Sequence, residues 1–222
     1  WLPYFPVEMR FHFNGHNLVV YGREGSDYLI SDPVAEMPVI CAAEDLQRAR
    51  FAKGVFAPRG LTYYPEGVPR DPDLRPAVRD AIRATARRMV DMPVPMFGAR
   101  GIGWLARRLE RWPDKLGAEK ARKWVGSIVR MQEEIGTGGA GFRFIYAAFL
   151  QEAGDLLNNA ALRECAIDLT ATGDRWRDFA VQGAQLVKQR QDGSEAYTRL
   201  AALLRECGER EQEIFTRLKT AV

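Results

Sequence analysis

Two side chains near the start of this sequence have the types and spacing for acid–base chemistry. His16 opens the apolar run Asn17-Leu18-Val19-Val20-Tyr21, and Asp32 closes the run Asp27-Tyr28-Leu29-Ile30-Ser31. A carboxylate beside an imidazole fixes its tautomer and stabilises its cation, as a general base in acyl transfer requires. The two residues lie sixteen positions apart, so the chain between them must fold back on itself. The β-branched and apolar content of both runs predicts strands over 16–21 and 27–31, with 22–26 as the turn and Asp32-Pro33 as the stop. In an antiparallel pair the start of the first strand lies beside the end of the second, which makes His16 and Asp32 expected neighbours. An ordinary surface pair at two strand ends, with Asp-Pro as turn chemistry, fits the same spacing.

The surrounding elements follow from pattern. Residues 8–13 alternate in strand fashion, and Asn14-Gly15 is a strong turn dipeptide leading into His16. The near-continuous apolar runs of the hairpin predict strands covered on both faces. Residues 43–51 read as a short helix with Glu44 and Asp45 in its first turn, where the macrodipole favours carboxylates. Residues 61–64 read as one more strand, ended by Pro65. Pro65, Pro69 and Pro72 then mark a linker. Beyond it the period is helical, at about 74–91, 101–111, 117–135, 141–156, 160–189 with a break near Gly173, and 194–220. Val78, Ile82, Ala86, Met89 and Val90 form one stripe of the first of these helices, opposite Arg79, Arg83 and Arg87. Ala201, Leu204, Ile214 and Leu218 form the apolar side of the last. Packing into the bundle and a homodimer contact are both open for that side.

Composition narrows the classes. The chain has 222 residues, 46% hydrophobic and 27% charged, ordinary values for a globular protein with a real core. No run approaches the length of a membrane span and no signal-peptide pattern is present. Cys41, Cys165 and Cys207 are three in number and lack CxxC spacing. That argues against a disulfide framework or zinc site and points to a reducing cytoplasm. Only His12 and His16 supply imidazoles, and Asn14-Gly15 between them breaks the helix that a two-histidine metal face would need. Trp104, Trp112, Trp124 and Trp176 read as bundle core.

Two further stretches could bind. Gly136-Thr137-Gly138-Gly139-Ala140-Gly141 opens into a helix whose first turn holds Arg143. Free N–H groups, the dipole and a guanidinium fork there make Gly138, Gly139 and Arg143 candidates for an anion. The Lys-Ser/Thr of a Walker loop is absent, and a helix precedes the stretch where a dinucleotide fingerprint needs a strand. A glycine-rich helix connection packed by small residues fits equally. Between Arg83 and Arg130 twelve Lys or Arg face four acids, a net of +8 in a chain whose total is +3. Such a face, with Arg107, Arg108 and Arg111 at its centre, would attract an acidic partner. No recognisable motif supports nucleic acid as that partner. A solvated Arg-rich helical face remains the alternative.

The pattern of His16, apolar run, Gly22, turn, apolar strand and Asp32-Pro33 resembles the C-terminal half of papain-like cysteine peptidase folds. It is particularly similar to the double-glycine-leader peptidases and to the butirosin biosynthesis protein H family of acyltransferases. Further agreement with the second family lies in Ala49-Arg50, in 98–109 and in Ile135-Gly136-Thr137-Gly138-Gly139-Ala140-Gly141-Phe142-Arg143 with the helix after it. The resemblance implies an α+β chain: part of a papain-like domain over 1–68, joined to an all-helical domain over 69–222. It implies acyl transfer through a cysteine thioester, with His16 shuttling the proton and Asp32 orienting it. The acyl donor would be an acyl carrier protein bearing phosphopantetheine, with no cofactor of the chain's own. The acceptor would be a small-molecule amine, an aminoglycoside in the butirosin-like case. In papain-like enzymes the nucleophilic cysteine precedes the histidine, and no cysteine lies upstream of His16 here. An additional N-terminal segment carrying it is therefore expected, with Cys41 an inert buried thiol. A peptidase of the double-glycine-leader type and a non-catalytic binding protein are the alternatives.

Overall fold

Gly25 sets the first hairpin. It takes a positive φ of 60°, the first central position of a two-residue turn whose twist matches the strands it joins. In the computed structural model, which describes residues 2–7, 15–134, 138–190 and 193–222, strand β1 runs Val19–Glu24 and β2 runs Asp27–Ser31. Glu24 pairs with Asp27, so the turn is Gly25-Ser26 and not the whole of 22–26. Gly22 lies within the strand. The register slips between Val20 and Gly22, leaving Tyr21 as an extra bulged residue. Strand β3, Val39–Ala42, adds antiparallel to β2 and gives the order β1-β2-β3. Helix α1, Ala43–Arg50, follows directly, with Glu44 and Asp45 in its first turn as expected.

The chain divides into two compact units, Trp1–Arg70 and Asp71–Val222. In the first, the small core is Ile30, Cys41 and Leu46, with Tyr4, Leu18, Tyr28 and Val39 packed against it. Tyr28 and Ile30 alternate onto that face opposite Cys41 and Val39. Two expectations fail here. Strand β1 is an outer strand with Val19, Val20 and Tyr21 exposed, so it is not covered on both faces. Residues 61–64 form no strand, and Leu61, Tyr63 and Tyr64 are 79%, 83% and 78% exposed. Strand preference is a preference for packing against neighbours, and among the described residues no strand pairs with this segment. The expected strand at 8–13, Asn14 and His12 lie outside the described residues.

The second unit is helical: α2 Arg75–Val90, α3 Gly98–Leu109, α4 Trp112–Leu116, α5 Ala118–Glu133, α6 Arg143–Leu156, α7 Ala160–Val187 and α8 Ser194–Ala221. The chain as a whole is thus α+β. Gly98 starts α3 at φ +64°, where a Cβ would lie 2.3 Å from the Met89 carbonyl oxygen, so the entry admits glycine alone. The expected helix 101–111 ends earlier, at Leu109, and α4 restarts with a proline in its first turn. Asn159 caps α7 by accepting from the N–H groups of Ala161 and Leu162. The break expected near Gly173 does not occur. A Cβ at Gly173 would come within 2.6 Å of the Phe144 ring, so this glycine lets α6 and α7 approach closely.

Two apolar clusters run along α7 and α8. One gathers Trp176, Phe179 and Leu186 of α7 with Leu200, Leu204 and Cys207 of α8, against Ile102, Ala106 and Leu109 of α3. The other joins Leu162, Cys165 and Leu169 with Ile214, Phe215 and Leu218, against Ile82, Ala86 and Leu150. Each fully buried leucine or phenylalanine contributes about 1.5–3 kcal/mol. The α2 stripe and the α8 stripe face these cores as their period predicts. Among the described residues no helix is long and apolar enough to cross a membrane, and no cluster of His, Cys, Asp or Glu could hold a metal ion.

Candidate functional site

Asp32 leaves β2 with its side chain fully buried and with every contact assigned. Its Oδ1 accepts from the Val34 N–H at 2.9 Å, and its carbonyl oxygen accepts from the Ala35 N–H at 3.0 Å. These bonds close an Asx turn over Pro33 and fix the carboxylate plane. The other oxygen, Oδ2, meets His16 Nε2 at 2.8 Å and accepts from the Tyr4 hydroxyl at 2.7 Å. A buried carboxylate of this kind persists because both of its oxygens are hydrogen-bonded. Burial, and then the bond to Asp32, push the Tyr4 hydroxyl well above its ordinary pKa and keep it a donor.

His16 stands three residues before β1, its side chain 17% exposed. Phe5 packs edge-on against the imidazole with centroids 5.3 Å apart. Apolar contact on one side and a carboxylate on the other limit the ring to one orientation. With Nε2 directed at Asp32, Nδ1 is the nitrogen through which a proton would pass to or from a substrate. The arrangement suits a general base held in one tautomer. Tyr4 had no local signal in the sequence, because it reaches Asp32 across 28 positions.

The thiols are not placed for nucleophilic work. Cys41, Cys165 and Cys207 are all free and buried. Burial raises the pKa of each, and that of Cys207 reaches about 12. A reactive cysteine needs partial exposure and an electropositive surrounding. Cys41, the one thiol in the unit of His16, has Asp45 and Asp27 as its charged neighbours, which disfavour its thiolate.

The glycine-rich stretch is filled from within. Ile135, Gly136 and Thr137 lie outside the described residues. Gly138 to Phe142 all take positive φ, including the non-glycine Ala140 and Phe142, a costly backbone held by its surroundings. The Ala140 N–H donates to Glu133 Oε1 at 3.1 Å, so a carboxylate of the chain occupies the donor expected for an anion. Gly138 is exposed and Gly139 buried. Arg143 is turned inward: Nε and Nη2 donate to Glu211 at 2.8 and 3.0 Å, and Nη1 donates to the Gly141 carbonyl at 2.9 Å. Glu211, wholly buried, also accepts from Trp176 Nε1 at 2.6 Å, and the guanidinium stacks 4.6 Å over that indole. The fork expected for a ligand therefore serves a buried ion pair. Glu211 could have been found in the sequence. It falls on the apolar stripe of α8 between Cys207 and Ile214, where an acid requires an internal partner.

Arg107 and Arg108 close α3, and Arg111 precedes α4; all three are exposed. Arg108 stacks 4.6 Å over Trp104. Trp112 and Trp176 are core, as expected, whereas Trp124 is 49% exposed and meets Trp112 edge-on.

Residues 1–33, which contain both His16 and Asp32, match the family described as butirosin biosynthesis protein H, N-terminal. Comparison with curated proteins and with solved structures finds no match for the chain. Residues 44–218, from the first turn of α1 to near the end of α8, match the family described as Domain of unknown function (DUF4872). That match takes in most of the chain, which therefore belongs to the DUF4872 family.

Proposed function

We propose that this chain takes part in acyl transfer of the butirosin type, moving an acyl group from a carrier-protein thioester to an amine through a cysteine thioester. The observation that carries the reading is the 2.8 Å bond from His16 to an Asp32 that is buried and oriented by Tyr4 and Val34. The match of residues 1–33 supports it. So does the resemblance to a papain-like half-domain over 1–68.

In this reading the nucleophile is a cysteine upstream of Trp1, since the three thiols in hand are buried. His16 takes the thiol proton as sulfur attacks the donor carbonyl. The new C–S bond forms as the carrier's phosphopantetheine thiolate leaves and collects that proton. The amine then attacks the acyl-cysteine, its proton passes to His16, and from there to the departing cysteine sulfur. Asp32 keeps the imidazole in register and stabilises its cation in both halves.

The test uses the protein with its native upstream sequence. His16→Ala and Asp32→Asn are assayed for acyl-thioester consumption and for amide product. His16→Ala removes general-base catalysis, a loss of about 10²–10⁴-fold, and circular dichroism checks that the variant assayed is folded. A folded His16→Ala protein with full activity refutes the reading. Peptide cleavage with no transfer to amines would make the enzyme a double-glycine-leader peptidase. Absence of any acyl-enzyme would leave a binding protein.

A further inference from the structure

The cations of the helical unit are sorted by whether they have partners. On α7 and α8, Arg175, Arg205, Arg210, Arg217 and Lys219 each pair with a carboxylate. Two of those carboxylates are Glu110 and Asp91, drawn from the basic stretch itself. Exposed Arg107, Arg108, Arg111, Lys115, Lys120 and Lys123 have no ion-pair partner among the described residues. Their charge is therefore not cancelled locally. Of the four acids in the stretch, Glu110 and Asp91 are committed to α8, and Asp114 and Glu119 alone remain beside these six cations.

These cations share one corner. Arg107 and Arg108 lie in the last turn of α3, Arg111 caps the start of α4 and Lys115 lies in its last turn, all within nine residues of chain. Lys120 and Lys123 are one turn apart on α5. Trp112 of α4 and Trp124 of α5 meet edge-on at 5.6 Å, which stitches the two sets together. Trp124, half exposed, thus stands among the cations as an aromatic surface with water on one side.

We infer that this corner docks an acidic protein, with Trp124 as its apolar anchor and Arg107, Arg108, Arg111, Lys115, Lys120 and Lys123 as its steering charges. A half-exposed tryptophan on a helix that also carries Lys120 and Lys123 has the composition of a protein interface centre, an aromatic anchor with charge at its rim. A single-stranded nucleic acid needs a succession of open rings. Here the Trp104 face is covered by Arg108 and Trp112 is buried, leaving one. Unpaired surface cations speed encounter with an acidic partner by about 10- to 10³-fold and lose that advantage as salt rises. The acidic protein is the acyl donor's carrier, an identification that rests on the acyl-transfer reading.

The probe is a fluorescently labelled acidic acyl carrier protein in its phosphopantetheinylated form, titrated with the full chain at low and high salt. The Arg107→Glu/Arg108→Glu/Arg111→Glu and Lys120→Glu/Lys123→Glu variants raise Kd at least tenfold at low salt, and the wild type weakens steeply as salt increases. Lys188→Glu/Arg190→Glu/Arg199→Glu reverses as many charges away from the corner and leaves Kd within twofold. All these side chains are exposed, so the variants fold. No carrier binding by the wild type, equal losses in the distant variant, or tighter binding of a single-stranded oligonucleotide at the same corner overturns the inference. Turnover of a small acyl-pantetheine thioester is measured separately on the full-length wild-type protein. Its absence counts against the acyl-transfer reading and leaves the binding result standing.

Discussion

Glu211→Leu is the sharpest test of how the helical unit is held. The carboxylate is wholly buried and accepts three bonds, from Arg143 Nε, Arg143 Nη2 and Trp176 Nε1. Leucine fills most of the volume but strands a guanidinium that is only 22% exposed and orphans a buried indole N–H. Breaking one side of a buried pair costs about 3–5 kcal/mol. At about 2–4 °C per kcal/mol for a chain of this size, the melting temperature falls by roughly 6–20 °C. Arg143→Leu alone leaves a buried carboxylate with the indole as its one strong donor and should cost a similar amount. The double variant removes both charges together and should be more stable than the two single losses predict, with a coupling of about 1.5 kcal/mol or more. Urea melts of the four proteins complete the cycle. A Glu211→Leu cost under about 1 kcal/mol, or a strictly additive cycle, would refute the assignment of Glu211 and Arg143 as one buried unit.

Gly173→Ala should destabilise, although alanine gains about 1 kcal/mol of helix propensity over glycine, because its Cβ lies 2.6 Å from the Phe144 ring. Stabilisation in a thermal melt would show that α6 and α7 have room to spare. The thiols of Cys41, Cys165 and Cys207 should resist dithionitrobenzoate in the native protein near neutral pH and all react after guanidinium denaturation. Rapid native labelling of Cys41 would revive it as a nucleophile. Cys207 also predicts a pH dependence. Its folded pKa is raised from 9.0 to about 12, chiefly by burial. The stability it contributes is intact below pH 9 and shrinks as pH climbs from 9 toward 12. A melting temperature that rises over that interval in the wild type relative to Cys207→Ala would contradict the sign.

The proximity of His16 and Asp32 was legible because a hairpin's turn determines which residues face each other, and the turn residues are conspicuous. The second strand lies where the sequence placed it, at 27–31, but the first is displaced by three residues because Tyr21 bulges and the turn uses only Gly25-Ser26. Neither feature changes the apolar pattern. Strand β3 was missed because four residues between Pro38 and a helix are too short to establish a period. Residues 61–64 were misread for the converse reason, since their composition suits a strand but no strand among the described residues pairs with them. Gly173 shows that a glycine in a helical stretch reads equally as a break or as a close approach, and only the Phe144 ring decides. The glycines before Arg143 suggested an empty cradle, because local sequence does not reveal that Glu133 and Glu211 supply its counter-charges.

Helices α7 and α8 have 28 residues each, rods of about 42 Å at 1.5 Å per residue. Both apolar clusters are strung along the same two rods. Each cluster has outer walls of its own, α3 and α5 for one and α2 and α6 for the other, but both share the two rods as their inner wall. A displacement of either rod therefore disturbs both clusters at once, whereas a displacement of an outer helix disturbs one.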